Sequence, residues 1–209
     1  MSEERNRQIL PLFARPIYIV KNYTLTKEER EQVDKEKEIK MDNARKNFTS
    51  ANSHVLENPI FKGLNSFLQQ EVDKYFHEEL QYKRSSPLRI TQSWFNYNPK
   101  GTFHHSHTHP NSIVSGVYFV QGDRQPIVFE RFENDHMFGG IIPEADKYNF
   151  YNCGNWKVTS KPGYLLLFPS SVKHGVVMNE HPEERISLSF NTFLTGIVGK
   201  ARGLTELKL

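Results

Sequence analysis

The hydrophobic rhythm of the chain changes near residue 88, and this change restricts the fold more than any other feature. Before it, residues 58–82 place apolar side chains at helical spacing, with Asn58 suited to cap the helix and Pro59 to its first turn. After it come about eight short segments rich in β-branched and aromatic residues, separated by turn signals such as Lys-Pro-Gly at 161–163. This order predicts a mainly β fold with N-terminal helices, a double-sheet jelly roll rather than a parallel α/β sheet.

The 209 residues are enough for one domain with a sizeable core. We therefore expect a single domain over residues 1–209, with a mostly helical lead-in at 1–87, a β core at 88–196 and a tail at 197–209. Within the lead-in, residues 10–20 predict a short edge strand, and the charged residues 26–47 predict an exposed helix. That exposed helix offers a surface through which the chain could form a homodimer.

Composition excludes several classes of protein. A net charge of +3 is too small to indicate binding to nucleic acid or to an anionic membrane. No apolar run approaches the length of a membrane span, and the first residues are polar rather than typical of a secretory signal. A single cysteine, Cys153, excludes an internal disulfide framework and a cysteine-cluster zinc site. We therefore expect a cytoplasmic protein.

Four of the nine histidines fall within six residues, at 104, 105, 107 and 109. Strand alternation would place His105, His107 and His109 on one face and His104 on the other. A row of imidazoles on a buried face needs a partner, and neutral imidazole is a good ligand for iron, zinc, copper or nickel. An exposed strand edge without a ligand is the alternative interpretation. A metal site is favoured because another histidine, His174, follows a later apolar segment, and Arg-x-Ser begins the next segment at Arg185.

The order His-x-His, a long insertion, His and then Arg-x-Ser resembles the 2-oxoglutarate- and iron(II)-dependent oxygenase superfamily over roughly residues 90–193. The stretch WFNYNPKGTFHHSHTH at 94–109 is similar to the prolyl-hydroxylase branch. The segments HTHPNSIVSGVYFV, GYLLLFPSSVKHGVV and RISLSFN are similar to a group of small, largely uncharacterised members that carry His-x-His-Pro and a Phe-Pro-Ser turn. The resemblance implies a double-stranded β-helix, which is the jelly roll of this superfamily.

The resemblance also implies the cofactors and their ligands. It implies that Fe(II) is bound by His107, His109 and His174. It implies that the distal carboxylate of 2-oxoglutarate is bound by Arg185, with Ser187 and Tyr97 as further contacts. The implied reaction converts 2-oxoglutarate and O2 to succinate and CO2 while a substrate is hydroxylated. The sequence does not identify that substrate, which could be a small molecule or a peptide.

The chain departs from the usual superfamily pattern at the second metal ligand. His109 stands where the superfamily has an aspartate, and no His-x-Asp occurs anywhere in the chain. Three neutral imidazoles leave Fe(II) with two positive charges, which favours a dianionic co-substrate but predicts a lower affinity for the metal. The ligand pair could also be His105 and His107, although Pro110 directly after His109 favours the pair at 107 and 109.

Two other functions remain open from the sequence. A cupin-type metalloenzyme with three histidines that does not use 2-oxoglutarate shares the double-sheet architecture. A metal-free jelly-roll binding protein would leave the histidines without a role. The Arg185-x-Ser187 pair separates the oxygenase from the cupin-type enzyme, provided that Arg185 points inward and does not form a surface ion pair with Glu183 or Glu184. Retention of a metal by the protein separates it from the metal-free binding protein.

Overall fold

The computed structural model describes residues 8–38, 41–42, 47–122, 126–131, 138–159 and 161–209. Two α-helices are present in this part of the chain, α1 (Lys27–Glu38) and α2 (Lys62–Asp73), and a π-helical segment (Lys74–Glu79) continues α2. The strands are β1 (Tyr18–Lys21), β2 (Met41–Asp42), β3 (Phe48–Thr49), β4 (Leu88–Asn98), β5 (His104–His107), β6 (Val114–Gln121), β7 (Ile127–Glu130), β8 (Asn155–Val158), β9 (Tyr164–Pro169), β10 (His174–Val176), β11 (Arg185–Leu194), β12 (Ile197–Val198) and β13 (Leu207–Lys208).

The strands form a larger and a smaller antiparallel sheet, which confirms the predicted mainly β jelly roll. The larger sheet has the order β1-β9-β6-β11-β4-β3-β2, and the smaller has the order β5-β10-β7-β8. Strands β12 and β13 form a separate pair in the segment expected as a tail. The lead-in is less helical than expected, because it contributes β1, β2 and β3 to the larger sheet. The edge strand predicted over residues 10–20 is β1, which pairs only with β9 among the described strands.

Polar side chains cap α1 and the turn that precedes α2. Thr26 and Glu29 form a capping box on α1, because Glu29 N–H donates to Thr26 Oγ1 and Thr26 N–H donates to Glu29 Oε2. The same carboxylate accepts the backbone N–H of Leu64, which connects α1 to the first turn of α2. Asn58 accepts the backbone N–H of Ile60 and so caps the 3-10 turn (Pro59–Phe61) that leads into α2, which has no side-chain cap of its own. The exposed helix predicted over residues 26–47 ends at Glu38, and several of the residues that follow lie outside the described ranges.

The larger sheet is covered on both faces, and side-chain alternation decides which residues face the helices. On β6, Tyr118 and Val120 belong to the core shared with the helices, whereas Val117 and Phe119 belong to the core shared with the smaller sheet. The strands β9 and β11 alternate in the same way. The space for a ligand therefore lies between the two sheets, on the face opposite the helices.

No helix in the described ranges combines the length and the apolar character that crossing a membrane requires.

Candidate metal centre and co-substrate cavity

Three imidazoles converge at one end of the smaller sheet. His107 and His174 are opposite each other in the β5–β10 pair, and His109 follows in a turn whose backbone N–H donates to the carbonyl of Ser170. The ring centroids are separated by 4.6 Å between His107 and His174, 5.0 Å between His107 and His109, and 5.1 Å between His109 and His174. One nitrogen of each ring lies within 4.8 Å of the other two, so a single cation can bind all three.

Hydrogen bonds on the far side of each ring fix which nitrogen is available to a metal. Nδ1 of His107 contacts the carbonyl oxygen of His105 at 2.8 Å, and Nδ1 of His174 contacts that of Val172 at 3.0 Å. Nδ1 of His109 contacts Oδ1 of Asn191 at 2.8 Å. Because all three partners are acceptors, Nδ1 carries the proton and Nε2 presents a lone pair.

The Nε2 atoms of His107 and His109 lie 3.2 Å apart. Two lone pairs at this distance repel each other unless a proton or a cation lies between them. The donor set of three neutral imidazole nitrogens therefore fits a divalent transition metal such as iron(II).

The surroundings keep the imidazoles of His109 and His174 neutral. Burial, together with repulsion from the adjacent His107 and His109, lowers the pKa of His174 to about 3. Burial, together with repulsion from His107, lowers the pKa of His109 to about 4. Neutral imidazole is the form that binds a metal, so no proton has to leave His109 or His174 at pH 7.

The strand alternation predicted for the histidine cluster is wrong at His104. In the β5–β10 pair, His107 is opposite His174 but His104 is opposite Val176, so β5 has one extra residue and contains a bulge. The bulge turns His104 into the same cavity as His107 and His109, while His105 does not line that cavity. His104, His105 and His107 also place one nitrogen each within 4.8 Å of one another, but this second group shares only His107 with the first.

Arg185 lies in the same cavity as the three imidazoles, at the first position of β11. Its side chain is buried, with 1% of the residue exposed, and its guanidinium lies 5.3 Å from the centre of the Phe119 ring. Burial lowers the pKa of Arg185 to about 10, which still leaves it charged at pH 7. Glu184 pairs instead with Lys37, which makes the surface ion pair considered for Arg185 wrong.

The charge on Arg185 has no acidic partner in the described part of the chain, and its Nε has no hydrogen-bond partner there. A buried cation of this kind is expensive to keep unless an anion joins it. The planar guanidinium fits a carboxylate through two parallel hydrogen bonds. Ser187 is two residues further along β11, faces the same cavity and is also buried. The structure thus brings Arg185 and Ser187 together with the three histidines.

Tyr97 does not reach this cavity, which corrects the expectation that it contacts 2-oxoglutarate. Its ring lies in the core on the helix side of the larger sheet, next to Phe95. Its hydroxyl donates to the carbonyl of Val33 in α1 at 3.0 Å, and burial raises its pKa. The neighbouring residues Asn96 and Asn98 face the cavity instead, because successive residues of a strand point to opposite sides.

Sequence reasoning missed several polar residues of this site. Asn96 and Asn98 on β4 lie opposite Ser187 and Arg185 on β11, so this end of the strand pair has a polar inner face, and Trp94 interrupts it opposite Ser189. The signal was present as polar residues at alternate positions, 96 and 98 on β4 and 185, 187, 189 and 191 on β11. Asn191, which continues this alternation on β11, accepts from His109 and from Ser115 Oγ at 3.1 Å.

A family described as "Putative 2OG-Fe(II) oxygenase" matches residues 92–191. This range contains the three histidines and the cavity-lining residues of β4 and β11. This match confirms the resemblance to the 2-oxoglutarate- and iron(II)-dependent oxygenases. No curated protein is significantly similar to the chain in sequence.

Solved structures of this superfamily share the fold. A 2OG-Fe(II) oxygenase-family oxidoreductase from Burkholderia pseudomallei superposes with a TM-score of 0.56 at 12% identity, covering 84% of this chain and 83% of its own. HygX from Streptomyces hygroscopicus, with nickel, 2-oxoglutarate and hygromycin B bound, gives 0.58 at 10% identity, covering 85% and 82%. A Pseudomonas putida prolyl-4-hydroxylase gives 0.52 at 15% identity, covering 85% and 92%. Identities this low establish the double-stranded β-helix and nothing finer.

Proposed function

We propose that this chain is an active 2-oxoglutarate- and Fe(II)-dependent dioxygenase that binds Fe(II) through His107, His109 and His174, and the family match over residues 92–191 supports this proposal. One observation carries the proposal more than any other. A buried guanidinium without an acidic partner in the described ranges shares a cavity with three convergent imidazoles. A ligand that chelates a metal at one end and presents a carboxylate at the other satisfies both features, and 2-oxoglutarate is such a ligand.

The metal, when bound, supplies the chemistry of O2 activation and of oxidative decarboxylation. The protein side chains do the positioning. The bonds from Nδ1 of His107, His109 and His174 to fixed acceptors hold the ring planes and direct Nε2 inward. His107, His109 and His174 would supply three ligands to the metal, and the co-substrate and O2 would take the positions that these residues do not fill.

Arg185 and Ser187 would hold the far end of the co-substrate. The guanidinium can bind the distal carboxylate through two hydrogen bonds, and the Ser187 hydroxyl can add a third. The site as a whole would carry three positive charges, two from Fe(II) and one from Arg185, with no carboxylate among the proposed metal ligands to offset them. This balance favours a dianion and supports 2-oxoglutarate over a neutral ketone.

The metal and co-substrate that the HygX structure contains support the same pair of ligands for this fold. We propose that the products are succinate, CO2 and a hydroxylated substrate, and that this substrate is a small molecule or a peptide side chain. The free Cys153 is consistent with the cytoplasmic location that we propose.

One observation favours a second candidate. His109 in place of a carboxylate gives the three-histidine donor set that a cupin-type enzyme without 2-oxoglutarate could use. That candidate gives the buried Arg185 no ligand, and a titration with co-substrate decides between the two.

The deciding experiment is an anaerobic titration of the protein with Fe(II) and 2-oxoglutarate, followed by visible absorbance. Bidentate chelation by the co-substrate is expected to produce a charge-transfer band. Arg185→Ala should weaken the apparent affinity for 2-oxoglutarate by about 10-fold or more, since a charge-assisted bond contributes roughly 1.5–3 kcal/mol. Arg89→Ala is the matched control, because Arg89 is exposed on β4 and does not line the cavity. If wild type shows no band at saturating co-substrate, the proposal is wrong.

A further inference from the structure

His104 occupies a place in the cavity that the sequence pattern does not predict. The bulge in β5 rotates it inward, so its ring lies 4.5 Å from that of His107 and it shares the cavity with Arg185 and Ser187. It therefore stands beside the space between the metal ligands and the guanidinium. In the proposed function, that space is where 2-oxoglutarate has to extend.

The hydrogen bond behind His104 sets the direction in which it can donate. Nδ2 of Asn47 lies 3.3 Å from Nδ1 of His104, and Asn47 is fully buried. An amide N–H donates, so Nδ1 of His104 accepts and its proton is on Nε2. This tautomer is the reverse of the one found in the three rings of the metal centre, where Nδ1 donates and Nε2 is free. His104 is thus a poor metal ligand through Nε2 but a good donor to an anion.

The cavity also lacks the tyrosine hydroxyl that the sequence resemblance implies. Tyr97 faces the helices and donates to Val33. No other tyrosine lines the cavity in the described ranges. A carboxylate held here by Arg185 and Ser187 has further lone pairs to satisfy, and His104 is a neutral ring donor within the same enclosed space.

We propose that His104 is a co-substrate-binding residue, which donates a hydrogen bond from Nε2–H to a carboxylate oxygen of 2-oxoglutarate. The inference rests on the proposed function and extends it by one residue. It also gives the bulge in β5 a purpose: one extra residue converts a histidine that would face away into part of the binding site.

The test compares variants of two adjacent histidines in the anaerobic Fe(II) and 2-oxoglutarate titration. His104→Phe keeps an aromatic ring but removes the donor, and it should weaken the apparent affinity for 2-oxoglutarate by about 10-fold. His104→Gln keeps an amide donor and should stay within about 3-fold of wild type. His105→Phe is the matched control, since His105 does not line the cavity, and it should bind as wild type does.

A second readout separates co-substrate binding from metal binding. Competition with a chromogenic chelator in the absence of 2-oxoglutarate should give the same Fe(II) affinity for His104→Phe and wild type, within about 2-fold. Urea unfolding checks that the variant is folded, and His104→Leu repeats the test if Phe is not accommodated. Unchanged 2-oxoglutarate affinity in a folded His104 variant would overturn the inference, and so would loss of Fe(II). Absence of the band in wild type would instead reject the proposed function.

Discussion

Asn191 lies directly behind the metal centre, and replacing it tests whether the imidazoles are held ready for a metal. Its Oδ1 accepts from Nδ1 of His109 at 2.8 Å and from Ser115 Oγ at 3.1 Å. Asn191→Leu removes both acceptor contacts and frees the tautomer of His109. Loss of such a supporting contact costs about 10- to 100-fold in metal affinity, or roughly 1.4–2.8 kcal/mol. Trp94 still stacks on His109 at 6.0 Å and 23°, so we expect the lower end, about 10-fold.

Asn191→Asp should act in the opposite direction. A carboxylate at this position makes His109 a stronger donor to the metal and places one negative charge beside a site whose proposed metal ligands have none. We expect an Fe(II) affinity equal to or above that of wild type. The changes in Fe(II) affinity that we expect for the two variants therefore differ in sign as well as in size.

The assay is competition for Fe(II) with a chromogenic chelator under anaerobic conditions. Asn96→Leu is the control, because it removes a buried amide that donates to Ser189 rather than contacting an imidazole. If Asn191→Leu and Asn96→Leu bind Fe(II) with the affinity of wild type, the hydrogen bond to His109 does not prepare the site and the reasoning is refuted.

Three further predictions concern stability. Gly116→Ala should destabilise the fold by about 1–3 kcal/mol in urea unfolding, because a Cβ there would lie 2.1 Å from Phe190 Cζ in a packed core; a loss below 0.5 kcal/mol would contradict this packing. Tyr97→Phe should leave 2-oxoglutarate affinity unchanged and cost about 1 kcal/mol, since it removes the bond to Val33; weaker co-substrate binding would return Tyr97 to the site. The metal-free protein should lose stability as pH falls below about 6.5, because burial lowers the pKa of His174 to about 3 and the unfolded chain binds a proton that the folded chain does not. The free energy of unfolding in urea should fall between pH 7.5 and pH 5.5, and about 1 kcal/mol of that decrease should be absent in His174→Asn. An equal pH dependence in the variant and in wild type would argue against the buried neutral ring.

Much of the architecture was readable from the sequence because period-2 patterning and turn residues report directly on short strands. The helical lead-in was only partly readable. Strand β1 was predicted, but strands β2 and β3 are too short to show a period of their own, since each has only two residues. They form because they pair with the larger sheet, which is a tertiary effect that local patterning does not contain.

The sequence likewise predicted some residues of the candidate site and not others. His107, His109, His174 and Arg185 could be found because motif order survives without knowledge of geometry. Tyr97 was misplaced because its role was carried over from a resemblance. Strand alternation alone would have put it on the side of Phe95, away from Asn96 and Asn98. His104 could not be placed, because a bulge reverses alternation and one extra residue leaves no clear mark in a run of histidines.

The central claim is that three imidazoles bind one metal and that Arg185 binds the far end of a diacid in the same cavity. A crystal structure of the protein loaded anaerobically with Ni(II) and 2-oxoglutarate tests it most directly. The account predicts a single ion bound by Nε2 of His107, His109 and His174, and a distal carboxylate on the Arg185 guanidinium. An ion held by His104 and His105 instead, or a co-substrate whose distal carboxylate does not contact Arg185, would contradict it.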